Sequence, residues 1–247
     1  MKKILLLTLL GSQFLISQNQ FLIRSSIRIE GLPEEYAGFG ESEKTVYIKG
    51  DKVKSETTNM MSSTTEVFDG KKVTMLVESM GQKMAWSDTP ENIESATPKE
   101  KEQVKPKIEK TSETKMIAGY ECTKYIITIP AEAQKTDTKK KQSSADSKKD
   151  LVIVAWVTDK ISRPKSYGNT GRRGGNMNFD DPEMKGYPFQ TEMELDAQGM
   201  KMKYVETVTE VSTDPIPDNV FQVNTDGYTL KTYKDFMESM KKQEGSH

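Results

Sequence analysis

The sequence predicts a mainly β protein, built as a curved antiparallel sheet, a sandwich or a barrel. Three observations predict it. Apolar residues beyond the N-terminal segment recur at every second position, the period of a half-buried strand. Several of these runs are separated by short Asp-Gly or Gly-containing turns of hairpin type. The runs are rich in β-branched and aromatic residues, which suit a pleated surface.

Taken in order, Ile27 and Ile29 alternate with Arg28 and Glu30, and Val46 and Ile48 alternate with Thr45 and Tyr47. Val73, Met75 and Val77 share one face of a strand that follows the Phe68-Asp69-Gly70-Lys71 turn. Lys83 to Trp86 continues as a short strand after a Gly81-Gln82 turn. Tyr120 to Ile129 and Leu151 to Thr158 are further strands. Phe189 to Leu195 and Met200 to Val211 flank Asp196-Ala197-Gln198-Gly199, again hairpin chemistry. Phe221 to Val223 adds a final strand, for about nine to eleven in all, nearly all antiparallel. Only Tyr233, Phe236, Met237 and Met240 keep helical spacing, which predicts one short amphipathic C-terminal helix.

Three stretches interrupt the pattern as long loops: 87–115, 131–150 and 162–186. The first holds Pro90, Pro98 and Pro106, with Thr97 placed to cap a short helix that has Pro98 at its first position. The second carries Lys139-Lys140-Lys141-Gln142-Ser143-Ser144 and no large apolar residue, so it is expected to join two paired strands flexibly. The third is rich in Gly and Arg.

The N-terminus sets the expected compartment. Lys2 and Lys3 precede an apolar run from Ile4 to Ile16, too short to span a bilayer comfortably, and then Ser17-Gln18-Asn19-Gln20. This pattern predicts a signal peptide over 1–17 and a single β-rich domain over 18–247, in the periplasm or secreted. The competing reading is an uncleaved anchor helix, against which Gly11, Ser12 and Gln13 interrupt the run. No Cys follows the run, so no lipobox for acylation is expected. Removing Lys2 and Lys3 takes the formal charge from −1 to −3, which argues against a nucleic-acid partner.

Cys122 is the one cysteine and His247 the one histidine. A lone Cys forms no internal disulfide, and a single terminal His excludes Ser-His-Asp and Cys-His nucleophile systems and His-based zinc sites. Gly171-Arg172-Arg173-Gly174-Gly175 lacks the strand–glycine–helix context of a phosphate cradle, and reads as a solvated loop. Asp180, Asp181 and Glu183 lack the spacing of a Ca²⁺ loop. Cys122 lies in a strand pattern and is expected to be a small buried hydrophobe. The 14 methionines include Met75, Met84, Met193, Met200 and Met202 in strands. Their readings are plain core filling, an adaptable apolar pocket, or a thioether pair for Cu(I) at Met200 and Met202. No enzymatic activity, cofactor or metal is predicted.

One set of motifs adds a resemblance. Ile117-Ala118-Gly119-Tyr120-Glu121-Cys122-Thr123-Lys124-Tyr125, the Val154-Ala155-Trp156-Val157-Thr158 strand, Gly186-Tyr187-Pro188-Phe189, and Pro217-Asp218-Asn219-Val220-Phe221 with Gly227-Tyr228 resemble an exported bacterial domain family of unknown function. That family is similar in kind to LolA-like periplasmic lipoprotein carriers. The resemblance implies a single antiparallel, strongly curved sheet or unclosed barrel with short helices, and an apolar concave face.

The function so predicted is an exported binding module that holds a lipid or acyl chain in a sheet cavity and acts like a carrier. Met75, Val77, Met84, Trp86, Trp156, Met193, Leu195, Met200 and Met202 are the expected lining. The expected partner is a hydrophobic small molecule or lipid, or the lipid part of a lipidated protein, with only transient membrane contact. The alternative is a non-catalytic structural or protein-interaction domain of the cell envelope.

Overall fold

The computed structural model describes residues 20–97, 105–131, 149–165, 184–197 and 200–244. The expected signal peptide, most of the 131–150 and 162–186 loops, the Gly-Arg run and Asp180, Asp181 and Glu183 lie outside these residues. Twelve strands form one sheet: β1 (Gln20–Glu30), β2 (Glu41–Lys49), β3 (Lys52–Asn59), β4 (Ser62–Phe68), β5 (Val73–Ser79), β6 (Gln82–Asp88), β7 (Lys107–Ile117), β8 (Tyr120–Ile129), β9 (Leu151–Thr158), β10 (Tyr187–Ala197), β11 (Met200–Ser212) and β12 (Leu230–Lys231). Their order is β12-β6-β5-β4-β3-β2-β1-β11-β10-β9-β8-β7, so β12 and β7 are the two edges and the sheet is an unclosed one. All neighbours are antiparallel except β12, which runs parallel to β6 through Leu230↔Ala85 and Lys231↔Trp86.

The turns follow residue chemistry. Asp69 accepts the backbone N–H groups of Lys71 and Lys72 at 2.8 Å each, closing the predicted Asp-Gly turn between β4 and β5. Asn59 does the same for Met61 and Ser62 between β3 and β4. The β5–β6 turn is Met80-Gly81 rather than Gly81-Gln82, with both residues left-handed (φ 50° and 77°). Gly186, at φ 112°, lies so close to Thr158 O that a Cβ there would sit 2.1 Å from it, so only glycine fits where β10 joins β9.

Three expectations need correction, and another falls partly on residues that are not described. First, 87–115 is not one loop: it contains the end of β6, a helix α1 (Pro90–Ala96) and β7. Second, a helix not expected, α1, begins eight residues before the expected one, whose residues from Pro98 lie outside the described residues. Thr89 caps α1 and Pro90 takes the first position, while Thr97 closes it by donating its N–H and hydroxyl to Ile93 O. The same Thr-Pro pair occurs twice in the sequence, and the first copy follows a strand end that holds it. Third, Phe221 to Val223 is not a strand. Asp218–Phe221 forms a 3-10 turn that buries Phe221 against Val67 and Ile216. Fourth, β3, β4 and β7 escaped the periodicity because their strands are mostly Thr, Ser, Lys and Glu. Thr supports a strand by β-branching, and charges along β7 suit an edge that must not recruit another chain.

The register divides side chains between two faces. One, here the inner face, carries Ile23 and Ile27 of β1, Val46 and Ile48 of β2, Val73 and Met75 of β5, Tyr125 and Ile127 of β8, and Ile153 and Ala155 of β9. α1 and a second helix, α2 (Tyr233–Glu244), pack on this face where β5 and β6 lie. Tyr233, 2% exposed, meets Trp86 edge to face at 5.0 Å, while Phe236 and Met237 pack beside it, as the helical spacing predicted. Asp88 fastens the two helices together: it accepts the backbone N–H groups of Tyr233 (3.1 Å) and Thr89 (3.0 Å) and the Asn92 side chain (2.6 Å). Those donors overcome partial burial and hold the Asp88 carboxyl below its ordinary range. On the outer face, the segment after β11 covers Val67 and Tyr47, anchored by Lys49 donating to Ile216 O at 2.7 Å.

Candidate functional site: the inner face of the sheet

The nine predicted lining residues do not converge on one cavity. Register places Met75, Val77, Met84 and Trp86 together on the inner face of β5–β6, as Met75↔Trp86 and Val77↔Met84. It places Met193, Leu195 and Met202 together on the inner face of β10–β11, where Leu195 opposes Met202 and Met193 opposes Tyr204. Four strands separate the two groups, and their buried members belong to separate clusters. Met200 shares the β11 parity but stands at the strand end, 40% exposed.

Trp156 is on the opposite face. It pairs with Gln190 and Lys124, one residue out of step with Ala155, which pairs with the inward Thr191 and Tyr125. Lys115 caps its ring at 4.0 Å and Lys124 approaches at 5.9 Å, and Lys115 also bonds Gln190. The strand Leu151–Thr158 is apolar at nearly every position, so alternation could not say which side Trp156 takes.

Within each group the environments differ. Trp86 is 1% exposed under α2 and Met193 8% exposed between β9 and β11, so both are packed core. Val77, Met84, Leu195 and Met202 remain half-buried. Both described helices lie over β5–β6, so the β10–β11 group takes its apolar neighbours from the sheet and from Met184.

Between the two groups the inner face carries a charged pair that the sequence reading missed. Lys44 of β2 reaches across β1 and donates to Glu206 Oε1 of β11 at 2.9 Å, each side chain only 20% exposed. Ser25, opposite Lys44 on β1 and 5% exposed, is small enough to let the lysine stem pass over it. Tyr204 donates its hydroxyl to the other carboxylate oxygen, Oε2, at 2.9 Å. Burial opposes both charges, yet each is held ionised by the other: Lys44 is raised by Glu206, and Glu206 is lowered by Lys44 and by the Tyr204 hydroxyl. Burial and the adjacent carboxylate push Tyr204 far up, so it stays a donor. Buried Tyr187 is raised as well, by burial first and Glu206 next.

Chemically this cluster is self-satisfied. Both Glu206 oxygens are occupied, and neither partner is poised to give or take a proton near neutral pH. Cys122 is fully buried, and burial pushes its thiol up to about 11, the profile of an inert packing residue. Among the described residues, no group of three or more His, Cys, Asp or Glu is arranged to hold a metal ion. No described helix is long and apolar enough to cross a membrane.

No family model matches the chain, and no curated protein matches it. Solved structures do. PNGF-II is similar over 91% of this chain at 15% identity and a TM-score of 0.44, and the chain spans about a third, 34%, of that protein. The Mycobacterium tuberculosis lipoprotein LppX is similar over 82% of this chain and 91% of its own, at 12% identity and TM-score 0.34. A LolA superfamily protein from Nitrosomonas europaea covers 84% of this chain and 91% of its own, at 15% identity and TM-score 0.30.

Proposed function

We propose that this protein is an exported, non-catalytic binding module that holds a lipid or acyl chain against the inner face of its sheet. The observation that carries the reading is the state of Val77, Met84, Leu195 and Met202. They point to the same side as the packed core, yet stay half-buried, leaving apolar surface on that face partly open. Unbranched methionine in that position adapts to a flexible chain better than a branched side chain would. The Lys44–Glu206 pair lies between the two apolar groups and orders the β2–β1–β11 centre of the face. It supplies no nucleophile, so exchange of ligand would follow mass action alone.

The competing reading, an interaction or structural domain with a closed core, draws on Trp86 and Met193, both of which are packed. Binding of a fluorescent fatty acid to the mature protein separates the two. The carrier reading expects saturable binding that a non-fluorescent fatty acid competes away. Absence of binding, with no lipid co-purifying by native mass spectrometry, would leave the interaction domain.

A further inference from the structure

Independently of the inner face, one rim of the sheet carries an exposed apolar patch. The connection from β1 to β2 forms a 3-10 helix, Glu34–Gly40, whose Tyr36 and Phe39 are 50% and 42% exposed. The β3–β4 tip adds Met60 (74%) and Met61 (39%), and the β5–β6 tip adds Met80 (75%). These are neighbours: a Cβ on Gly38 would sit 3.3 Å from Met60 Cε, and Met80 N–H donates to Met61 O at 3.2 Å. Met60, Met61 and Met80, with Thr58, Ser63 and Glu78, line an open hollow of about 480 Å³. Met80 holds a left-handed conformation (φ 50°) in a two-residue hairpin where Asn, Asp or Gly would be unstrained. A large apolar side chain is thus kept at a strained, solvent-facing position with no packing return inside the fold.

The patch is fenced by carboxylates. Glu34, Glu35, Glu41 and Glu43 are exposed, and no ion pair among the described residues engages them. Glu43 opposes Thr58 of the hollow wall, and Glu78 stands in the wall itself. Described cations near it include Arg28 opposite Glu41, Lys201, whose backbone oxygen abuts Gly31, and Lys83, which lies 3.9 Å from Glu78 and also over the Tyr228 ring.

We infer that this rim docks a cationic amphipathic segment of a partner protein, its apolar side chains on the methionines and its Lys or Arg residues on the glutamate fence. Methionine surfaces re-pack around varied apolar partners, and a ring of one charge steers the opposite charge. A bilayer fits less well, because the fence would meet anionic headgroups of its own sign. A symmetric dimer through the patch would set the same carboxylates against each other.

The test is anisotropy of a labelled leucine–lysine helical peptide of about 14 residues, long enough for one continuous apolar face, titrated with the full mature chain. Binding should weaken at least about tenfold in Met60→Ser/Met80→Ser, since truncating central apolar anchors commonly costs that much. In Glu34→Gln/Glu35→Gln/Glu78→Gln it should weaken several-fold and lose much of its salt dependence. Both variants alter mainly exposed side chains, and an unchanged melting temperature confirms that the fold is intact. Binding indifferent to both variants overturns the inference. So does methionine-dependent co-sedimentation with phosphatidylcholine–phosphatidylglycerol vesicles without peptide binding, which would make the rim a membrane contact. A concentration-dependent dimer lost in Met60→Ser/Met80→Ser, again without peptide binding, would make it a self-association surface.

Discussion

The two apolar groups on the inner face are a natural comparison. Both come from a hairpin with the same pleat, and both mix methionine with other apolar side chains. At β5–β6, α1 and α2 pack over Trp86, which is core, and beside Met75, which is partly buried. At β10–β11, no described helix lies over Leu195 and Met202, which stay half-buried. Pleat parity therefore decides which side a residue faces, but what lies over it decides whether it is packed core or half-buried apolar surface.

The largest expected effect lies at the covered end. Trp86→Ala should empty the space under Tyr233 and cost about 3–5 kcal/mol, the range for deleting a buried aromatic. Chemical denaturation measures it, and a loss below about 1 kcal/mol would mean that α2 is not seated on the sheet.

Next comes the charged centre that separates the groups. Glu206→Leu leaves the Lys44 ammonium without its counter-charge and should cost about 3 kcal/mol. Adding Lys44→Met should restore most of that, because the apolar pair then suits its neighbours. A double variant as unstable as the single one would contradict this view of the pair. The pH dependence follows in sign. Glu206 is lowered in the fold, so its contribution is present above the ordinary carboxylate pKa of 4.5 and fades as pH falls through the lowered value. Lys44 is raised, so its contribution is full below 10.5 and is lost only as strong alkali titrates it. Wild type should lose more stability between pH 5 and pH 3 than Glu206→Leu/Lys44→Met, read from denaturation midpoints at each pH.

A smaller effect is expected where the helices are fastened. Asp88→Ala removes an acceptor shared by three donors and should cost about 2 kcal/mol, typical for hydrogen bonds to a charged group. Hydrogen exchange should show α2 opening before the sheet. If α2 amides keep wild-type protection, Asp88 is not what holds the helix down.

Much of this fold was legible because half-buried strands advertise their parity. β5 and β11 were readable from alternation, β8 from its β-branched and aromatic content, and α2 from the spacing of Tyr233, Phe236, Met237 and Met240. β3, β4 and β7 were not, since polar strands carry no hydrophobic period, and Phe221 looked like a strand although it only plugs the outer face through a 3-10 turn. The side taken by Trp156 was not legible for the opposite reason: its strand is apolar on both sides. The Lys44–Glu206 pair did leave a trace. Lys44 keeps the parity of Val46 and Ile48, and Glu206 that of Met202 and Tyr204, so each is a charge on the inward register. Single strands could not reveal that the two meet, because that depends on β1 lying between them.

The most direct test of the central claim, that apolar surface on the inner face holds a ligand, is a paired measurement on Met202→Lys and Met84→Lys. Both sites are half-buried, so the new ammonium can reach solvent along its stem. Thermal unfolding and fluorescent fatty acid binding are recorded on the same samples. The account predicts a stability loss within about 1 kcal/mol for each variant, as for ordinary partly exposed positions, together with loss of fatty acid binding in at least one. Melting temperatures that collapse in both, with no binding by the wild type, would show a closed core and contradict the claim.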